Sequence, residues 1–165
     1  MGARLDYCNS LLFGSTERNM DRLQQVQNNL APVVPQAPLS ASAAILGQEL
    51  HWLPVRQRVV FKLATLTLTV RKLGQPAYLG NLLREYQSTR NLRSADLLHQ
   101  PPATNAFSSR SFPVAAPTLW NKFSAGSAST LGTFKSRLKT ELFTSAYHTP
   151  SAKKCTQHTI FTLKK

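Results

Sequence analysis

Acidic residues are scarce in this sequence. It has 7 Asp and Glu against 20 Lys and Arg, so its formal net charge is +13 over 165 residues. The excess is uneven, because residues 1–55 hold three basic and four acidic side chains whereas residues 56–165 hold seventeen and three. A strongly basic region of this kind is typical of proteins that bind a polyanion, most often a nucleic acid. The alternative is a generic basic surface with no specific partner.

Cysteine is nearly absent, since Cys8 and Cys155 are the only two, and this excludes a disulfide framework. The N-terminus lacks the pattern of a secretory signal, so we expect reduced thiols and an intracellular, non-secreted protein. No apolar run approaches the roughly 20 residues that a membrane span needs. We therefore expect no membrane partner.

Signatures of catalysis and of cofactor binding are missing too. The three aspartates and four glutamates lie singly in the sequence, whereas polymerases and nucleases cluster carboxylates around divalent metals. The seven glycines form no phosphate-binding loop. His148, Cys155 and His158 lack the fourth ligand of a structural zinc site, and Cys8 on an apolar stripe is more typical of a buried thiol than of a nucleophile. We predict no catalytic residue, metal, cofactor or small-molecule ligand.

Changes in composition divide the chain into four segments. Residues 1–31 are predicted as a helical pair, and the apolar side chains of its second helix are Met20, Leu23, Val26 and Leu30. Residues 32–47, which contain three prolines and no charge, are predicted as an uncharged Pro/Ala/Ser linker. Residues 48–147 form a basic domain, and residues 148–165 form a basic tail that we expect to be mobile.

An apolar stripe at helical spacing predicts one long central helix, capped by Gly74. The stripe consists of Trp52, Val55, Val59, Leu63, Leu66, Val70 and Leu73. Residues 66–70 also alternate like a strand, but about 19 residues without a turn signal are long for a strand. Phe61 and Leu68 fall opposite the stripe, so we expect the helix to have neighbours on two sides.

Shorter elements are predicted after the central helix. Pro76 suits the first turn of a helix, whose apolar face would hold Leu79, Leu82, Leu83 and Tyr86. The stretch that follows contains four prolines and is predicted to be irregular, with two short strands.

The C-terminal part of the basic domain is predicted to contain two more helical pieces. Trp120 is expected to begin a short helical turn, and residues 124–132 are expected to form a loop. A last amphipathic helix follows, with Phe134, Leu138 and Leu142 on its apolar face. The predicted fold class is therefore mainly α, with several short helices and an irregular Pro-rich segment, and incomplete folding is kept as an alternative.

Cationic side chains are the candidate nucleic-acid-binding residues, because Arg and Lys bind phosphate oxygens and make affinity salt-dependent. The alternative for any single residue is a solvated surface position. No aromatic pattern for base recognition is present, so we expect weak, non-specific binding of RNA or DNA. The candidates are Arg56, Arg58, Lys62, Arg71, Lys72, Arg90, Arg93, Arg110, Lys135, Arg137 and Lys139.

Six sequence segments, in order, resemble the region after the reverse transcriptase palm in LINE-type, jockey- and chicken-repeat-like, retrotransposon second-ORF proteins. The resemblance covers about residues 3–145. The segments are "RLDYCNSLLFG", "DRLQQVQNN", "LHWLPVRQRVVFKL", "PAYLGNLLREYQSTRNLRS", "RSFPVAAPTLWN" and "TFKSRLKTELF".

The resemblance implies a thumb and downstream region that grips template and primer in the parent RNA-directed DNA polymerase. It also implies that the metal-binding aspartates lie upstream of the first segment, so no catalytic residue is carried over, and that residues 1–31 continue from the absent palm. The chain departs from the family pattern at residues 32–47, 108–109 and 122–125, which suggests a decaying genomic copy. The expected function is a non-catalytic remnant that binds nucleic acid. The alternative is an inactive fragment that packs on the polymerase core, with Phe61 and Leu68 as an exposed interface.

Overall fold

The computed structural model describes residues 9–38, 40–87, 97–123 and 130–147, and within them the chain is mainly helical, as the sequence predicts. Six α-helices and two 3-10 helices follow one another in these ranges. The α-helices are α1 (Glu17–Leu30), α2 (Ala43–Glu49), α3 (Val55–Leu73), α4 (Ala77–Gly80), α5 (Phe112–Trp120) and α6 (Leu131–Tyr147). The 3-10 helices are Asn9–Leu12 and Ser108–Arg110.

Helix α3 is the axis of the fold, because α1, α4, α5, α6 and the first 3-10 helix all contact it. Its buried side chains belong to separate apolar clusters. Val59 packs with Met20 of α1, Leu63 packs with α5, and Leu68 packs with α6. The predicted central helix with neighbours on two sides is therefore confirmed.

The ends of α3 follow the local chemistry of the sequence. Gly74 adopts a left-handed conformation with a φ of 63°, and its N–H donates to the carbonyl of Val70 at 3.0 Å. This is the expected glycine cap, since glycine enters that region without a Cβ clash. Leu73 is an exception to the predicted stripe, because it lies at this end with 65% of its surface exposed.

The stretch that alternates like a strand is helical, and two of its threonine hydroxyls bond within the helix. The hydroxyl of Thr67 donates to the carbonyl of Leu63 at 2.9 Å, and that of Thr69 donates to the carbonyl of Thr65 at 2.9 Å. A hydroxyl that bonds to the carbonyl four residues earlier is satisfied within its own helix. Thr67 is fully buried without an unpaired hydroxyl.

Helix α6 supplies three side chains to the largest apolar cluster. Phe134, Leu138 and Leu142 are buried against α3, as the predicted amphipathic pattern requires. The Phe134 ring stacks on Trp120 with 6.0 Å between centroids. Phe61 is half-buried against this same cluster. The alternative of a fragment that packs on a polymerase core predicts an exposed Phe61.

Helix α2 corrects the prediction that residues 32–47 form a linker, because it begins at Ala43. Leu46 and Gly47 are buried, and α2 contacts α1. A Cβ on Gly47 would lie 2.8 Å from the hydroxyl of Tyr147, so a larger residue there would displace that hydroxyl. The prolines lie before this helix, so the predicted linker is limited to the residues that precede Ala43.

Helix α4 is much shorter than predicted. Leu82 and Tyr86 are exposed rather than on an apolar helix face. After the helix, residues 84–86 pair with residues 97–99. The N–H of Tyr86 donates to the carbonyl of Leu97 at 3.0 Å, and an isolated antiparallel bridge joins Glu85 to Leu98. Within the described residues, this single bridge is present instead of the two short strands that the sequence predicts.

Helix α5 corrects a second prediction, since Trp120 ends a helix instead of beginning one. The prolines explain the error, because a proline-rich stretch is usually irregular. Pro113 lies in the first turn, where a missing N–H costs nothing. Pro117 removes a single backbone hydrogen bond inside the helix. Ala115, Ala116 and Leu119 are buried, so the helix packs in the core.

Several predictions fall outside the described residues. They concern Cys8 with the start of the first predicted helix, most of the loop at residues 124–132, and the tail at residues 148–165. The described end of that first helix is the 3-10 helix Asn9–Leu12, in which Leu11 is exposed. No helix in the described part of the chain is long and apolar enough to cross a bilayer.

The Leu138→Ala variant is expected to lose about 2–5 kcal/mol of unfolding free energy, because it removes a side chain that is 1% exposed and leaves a cavity. The matched control is Leu73→Ala, the same change at an exposed position, which should cost no more than about 0.5 kcal/mol. Urea denaturation of the three proteins measures both. Equal losses in the two variants would contradict the described core.

Candidate nucleic-acid interface

The candidate site is built around a corner of the backbone, residues 52–55, that connects α2 to α3. Helix α2 ends in a Schellman motif, in which the N–H of His51 donates to the carbonyl of Gln48 at 3.0 Å and that of Trp52 donates to the carbonyl of Gly47 at 2.9 Å. His51 takes the left-handed position with a φ of 52°. The chain then turns through Pro54, which precedes the first residue of α3.

Side chains from distant elements bond to this corner. Gln24 of α1 accepts the N–H of Val55 with its Oε1 at 2.9 Å, and Gln27 donates its Nε2 to the carbonyl of Leu53 at 3.0 Å. The hydroxyl of Tyr147, at the end of α6, donates to the carbonyl of Trp52 at 2.8 Å. Since the first N–H groups of a helix have no partner within it, Gln24 acts as a cap supplied from another helix.

Buried Gln27 also corrects the predicted face of α1. The apolar spacing predicts Val26 on the buried face, but Val26 is exposed, and Gln27 is the residue that turns inward. The spacing does not reveal this, because a polar residue that bonds to a remote backbone carries no hydrophobic signal.

Aromatic rings line the outer side of the corner. The His51 ring stacks on Phe143 with 5.7 Å between centroids, and the centroid of Phe143 lies 4.7 Å from that of Tyr147. The Arg58 guanidinium lies 5.9 Å from the centroid of Trp52, and its Nε donates to the carbonyl of Leu53 at 2.8 Å.

Three predicted site residues meet in one cavity of about 480 Å³, which we call the cationic cavity. Arg58 and Lys62 approach it from successive turns of α3, and Lys139 approaches it from α6. Cations beside aromatic walls are suited to bind the phosphates and bases of a single strand. The remaining wall residues are Asn9, His51, Trp52, Leu53 and Phe61.

Lys135 and Arg137 extend the positive charge along α6. Both are exposed, and Lys135 lies one turn before Lys139 on the same side of the helix. Lys72 is exposed near the end of α3, and Arg110 is exposed where its Nη2 donates to the hydroxyl of Ser15 at 3.3 Å. The structure does not bring Lys72 or Arg110 into the cationic cavity.

Arg56 and Arg71 are ion-paired to carboxylates. Arg56 forms ion pairs with Glu17 and with Asp21, and the hydrogen bonds to these carboxylates raise its pKa. Arg71 is largely buried, with its guanidinium 4.9 Å from the centroid of Trp120 and 3.5 Å from a carboxylate oxygen of Glu85. Arg90 and Arg93 lie outside the described residues.

A second cavity, of about 370 Å³, lies beside the corner, and we call it the amide cavity. Gln24, Gln27, Asn28 and Gln57 line it with carboxamides, and the wall includes Trp52 and Tyr147. Sequence reasoning missed this cavity. The available signal was the cluster of amides in "QQVQNN", which is equally typical of the polar face of an amphipathic helix.

Metal ligation finds no support in the described part of the chain, where no three His, Cys, Asp or Glu side chains form a group that could hold an ion. His148, Cys155 and His158 lie outside that part.

No protein-family model, no curated protein and no solved structure matches the chain.

Replacing Tyr147 with Phe should lower the unfolding free energy by about 1 kcal/mol at neutral pH, because the carbonyl of Trp52 loses its donor. Burial raises the pKa of the Tyr147 phenol, and the charge of Arg58 partly opposes this. The folded state therefore favours the neutral phenol, and its contribution is present below pH ~10 and is lost as the pH rises further. Urea denaturation at several pH values measures the difference.

Above pH ~10 the stability of the wild type should fall towards that of Tyr147→Phe. The control is Tyr78→Phe, which alters an exposed ring and should behave as the wild type. A constant difference between wild type and Tyr147→Phe across this range would contradict the buried, bonded phenol.

Proposed function

We propose that this chain binds RNA or DNA weakly and without catalysis, as a post-palm region of a LINE-type reverse transcriptase. The observation that carries the binding proposal is the cationic cavity, in which Lys62 and Lys139 lie beside Trp52 and Phe61. Both lysines are exposed, and within the described ranges neither forms an ion pair. Their charges are therefore available to phosphate.

Charge distribution supports the same proposal. The seventeen basic and three acidic side chains of residues 56–165 attract a polyanion over a long range. Arg56 and Arg71, which form ion pairs, are excluded from the proposed binding surface. This surface is centred on the cationic cavity and continues to Lys135 along α6.

The reverse transcriptase origin rests on the six ordered sequence segments. The corner of the cavity falls within the segment "LHWLPVRQRVVFKL", and Lys139 falls within "TFKSRLKTELF". The carboxylates are dispersed in the sequence, so we propose no polymerisation by this chain.

The alternative of a fragment that packs on a polymerase core loses its original support. Leu68 is 3% exposed in the main core cluster and Phe61 is half-buried against it, so the two do not form one exposed apolar face. Weak nucleic-acid binding is therefore the function that we argue.

Titration of labelled single-stranded RNA and DNA at a series of salt concentrations tests the proposal. The logarithm of affinity should fall linearly with the logarithm of salt concentration, with a slope of about 0.7 for each phosphate that the protein neutralises. The Lys62→Ala/Lys139→Ala variant should bind more weakly, and its slope should be smaller by about 0.7 for each phosphate that it no longer neutralises.

The matched control is Lys122→Ala, which removes an exposed lysine outside the cationic cavity and should leave the slope close to that of the wild type. Absence of binding at low salt, or binding that does not change with salt, would refute the proposed function. Equal effects of the cavity and control variants, per charge removed, would refute the location of the site.

A further inference from the structure

The paired backbone after α4, residues 84–86 with residues 97–99, forms a short two-stranded element that we call the ribbon. Its second strand is fixed to the end of α5 by Asn121. The Oδ1 of this side chain accepts the N–H of Leu98 at 2.9 Å, and its Nδ2 donates to the carbonyl of Leu98 at 2.9 Å. The Leu98 side chain is 2% exposed in the main core cluster. One face of the ribbon is therefore held against the core.

The opposite face, which we call the outer face of the ribbon, is open to solvent. Directly paired residues of two strands share a face, so Glu85 lies on the side of its bridge partner Leu98. Successive side chains of a strand alternate between faces, which places Arg84 and Tyr86 together on the outer face. Both are exposed, and Tyr86 keeps 51% of its surface accessible. His99, whose N–H donates to the carbonyl of Arg84 at 2.8 Å, is exposed as well.

The fold makes little use of the two outer side chains. Within the described ranges Arg84 forms no ion pair, and the ring of Tyr86 makes no contact with another ring or with a cation. The neighbouring acid, Glu85, lies on the other face, with a carboxylate oxygen 3.5 Å from Arg71. The outer face thus presents an unpaired cation and an open aromatic ring about 7 Å apart along one strand.

A single-stranded nucleic acid has the chemistry that fits this pair of side chains. Proteins that bind single strands combine cations along the phosphates with aromatic rings on which the bases stack. A base inside a duplex is covered on both faces by its neighbours, and exposing it costs unstacking energy. The excess of seventeen basic over three acidic side chains in residues 56–165 also favours a polyanion over a cationic or neutral partner.

We propose that the outer face of the ribbon stacks one base of a single strand on Tyr86 and binds an adjacent phosphate through Arg84. The inference rests on the proposed function and deepens it, because it adds a contact outside the cationic cavity, whose wall contains no residue of the ribbon. Stacking involves no charge. It is therefore separable from phosphate binding, because only phosphate binding changes the salt dependence of the affinity.

The test compares labelled oligothymidine with an abasic strand that has the same phosphates but no bases. Both strands are about twelve nucleotides long, which is within the length that one single-strand module covers. The wild type should bind the thymidine strand about tenfold more tightly, as expected for one stacked base. Tyr86→Leu should lose this factor of about ten on the thymidine strand and keep its affinity for the abasic strand. Its salt slope should stay unchanged, because no charge is removed.

Three further variants separate the ring from the charge. Tyr86→Phe keeps the ring and should bind both strands as the wild type does. Arg84→Gln should weaken binding to both strands and reduce the salt slope by about 0.7, the value for one phosphate on a single strand. The matched control is Phe107→Leu, which removes a ring that is 83% exposed outside the ribbon and should keep both affinities.

Equal affinities of the wild type for the thymidine and abasic strands would overturn the inference while the proposed function stands. An unchanged affinity of Tyr86→Leu for the thymidine strand, or an equal loss in Phe107→Leu, would overturn it too. Absence of binding to both strands at low salt would instead refute the proposed function, and the inference with it. The comparison of the two strands on the wild type needs no variant, so it remains decisive even where a substitution impairs folding.

Discussion

Side-chain hydrogen bonds to the backbone of residues 52–55 connect the parts of this fold that are distant in sequence. The corner has few internal partners, because Pro54 lacks an N–H and the first N–H groups of α3 are not bonded within the helix. Gln24 and Gln27 bring α1 to it, and Tyr147 brings the end of α6 to it. Apolar packing of α3 against α6 then fills the space that these bonds define.

The same constraint shapes both cavities. Trp52 is held by the bond from Tyr147 to its carbonyl and by the Schellman turn after α2, and it lines both the cationic cavity and the amide cavity. The amide of Gln27 uses its nitrogen to hold the corner and keeps its oxygen unpaired.

Sequence patterns predict the elements that depend on apolar periodicity and local caps. The central helix with its Gly74 cap and the apolar face of α6 follow directly from such patterns. Helices α5 and α2 were not predicted, because they contain or follow prolines and small residues. Whether such a residue prevents a helix depends on its position in the turn and on packing. The cationic cavity was partly predictable from its charges. The ion pairs of Arg56 and of Arg71 with carboxylates depend on contacts between residues that are distant in the sequence. The burial of Gln27 depends on such a contact too, and no local pattern predicts it.

Hydrogen exchange at the N–H of Val55 tests the central claim most directly. As the first residue of α3, Val55 has no acceptor in its own helix, so protection must come from Gln24. We expect this amide to exchange slowly in the wild type and rapidly in Gln24→Leu, while Leu68 in the middle of α3 stays protected in both proteins. Rapid exchange of Val55 in the wild type, or protection that survives Gln24→Leu, would contradict a corner held by distant side chains.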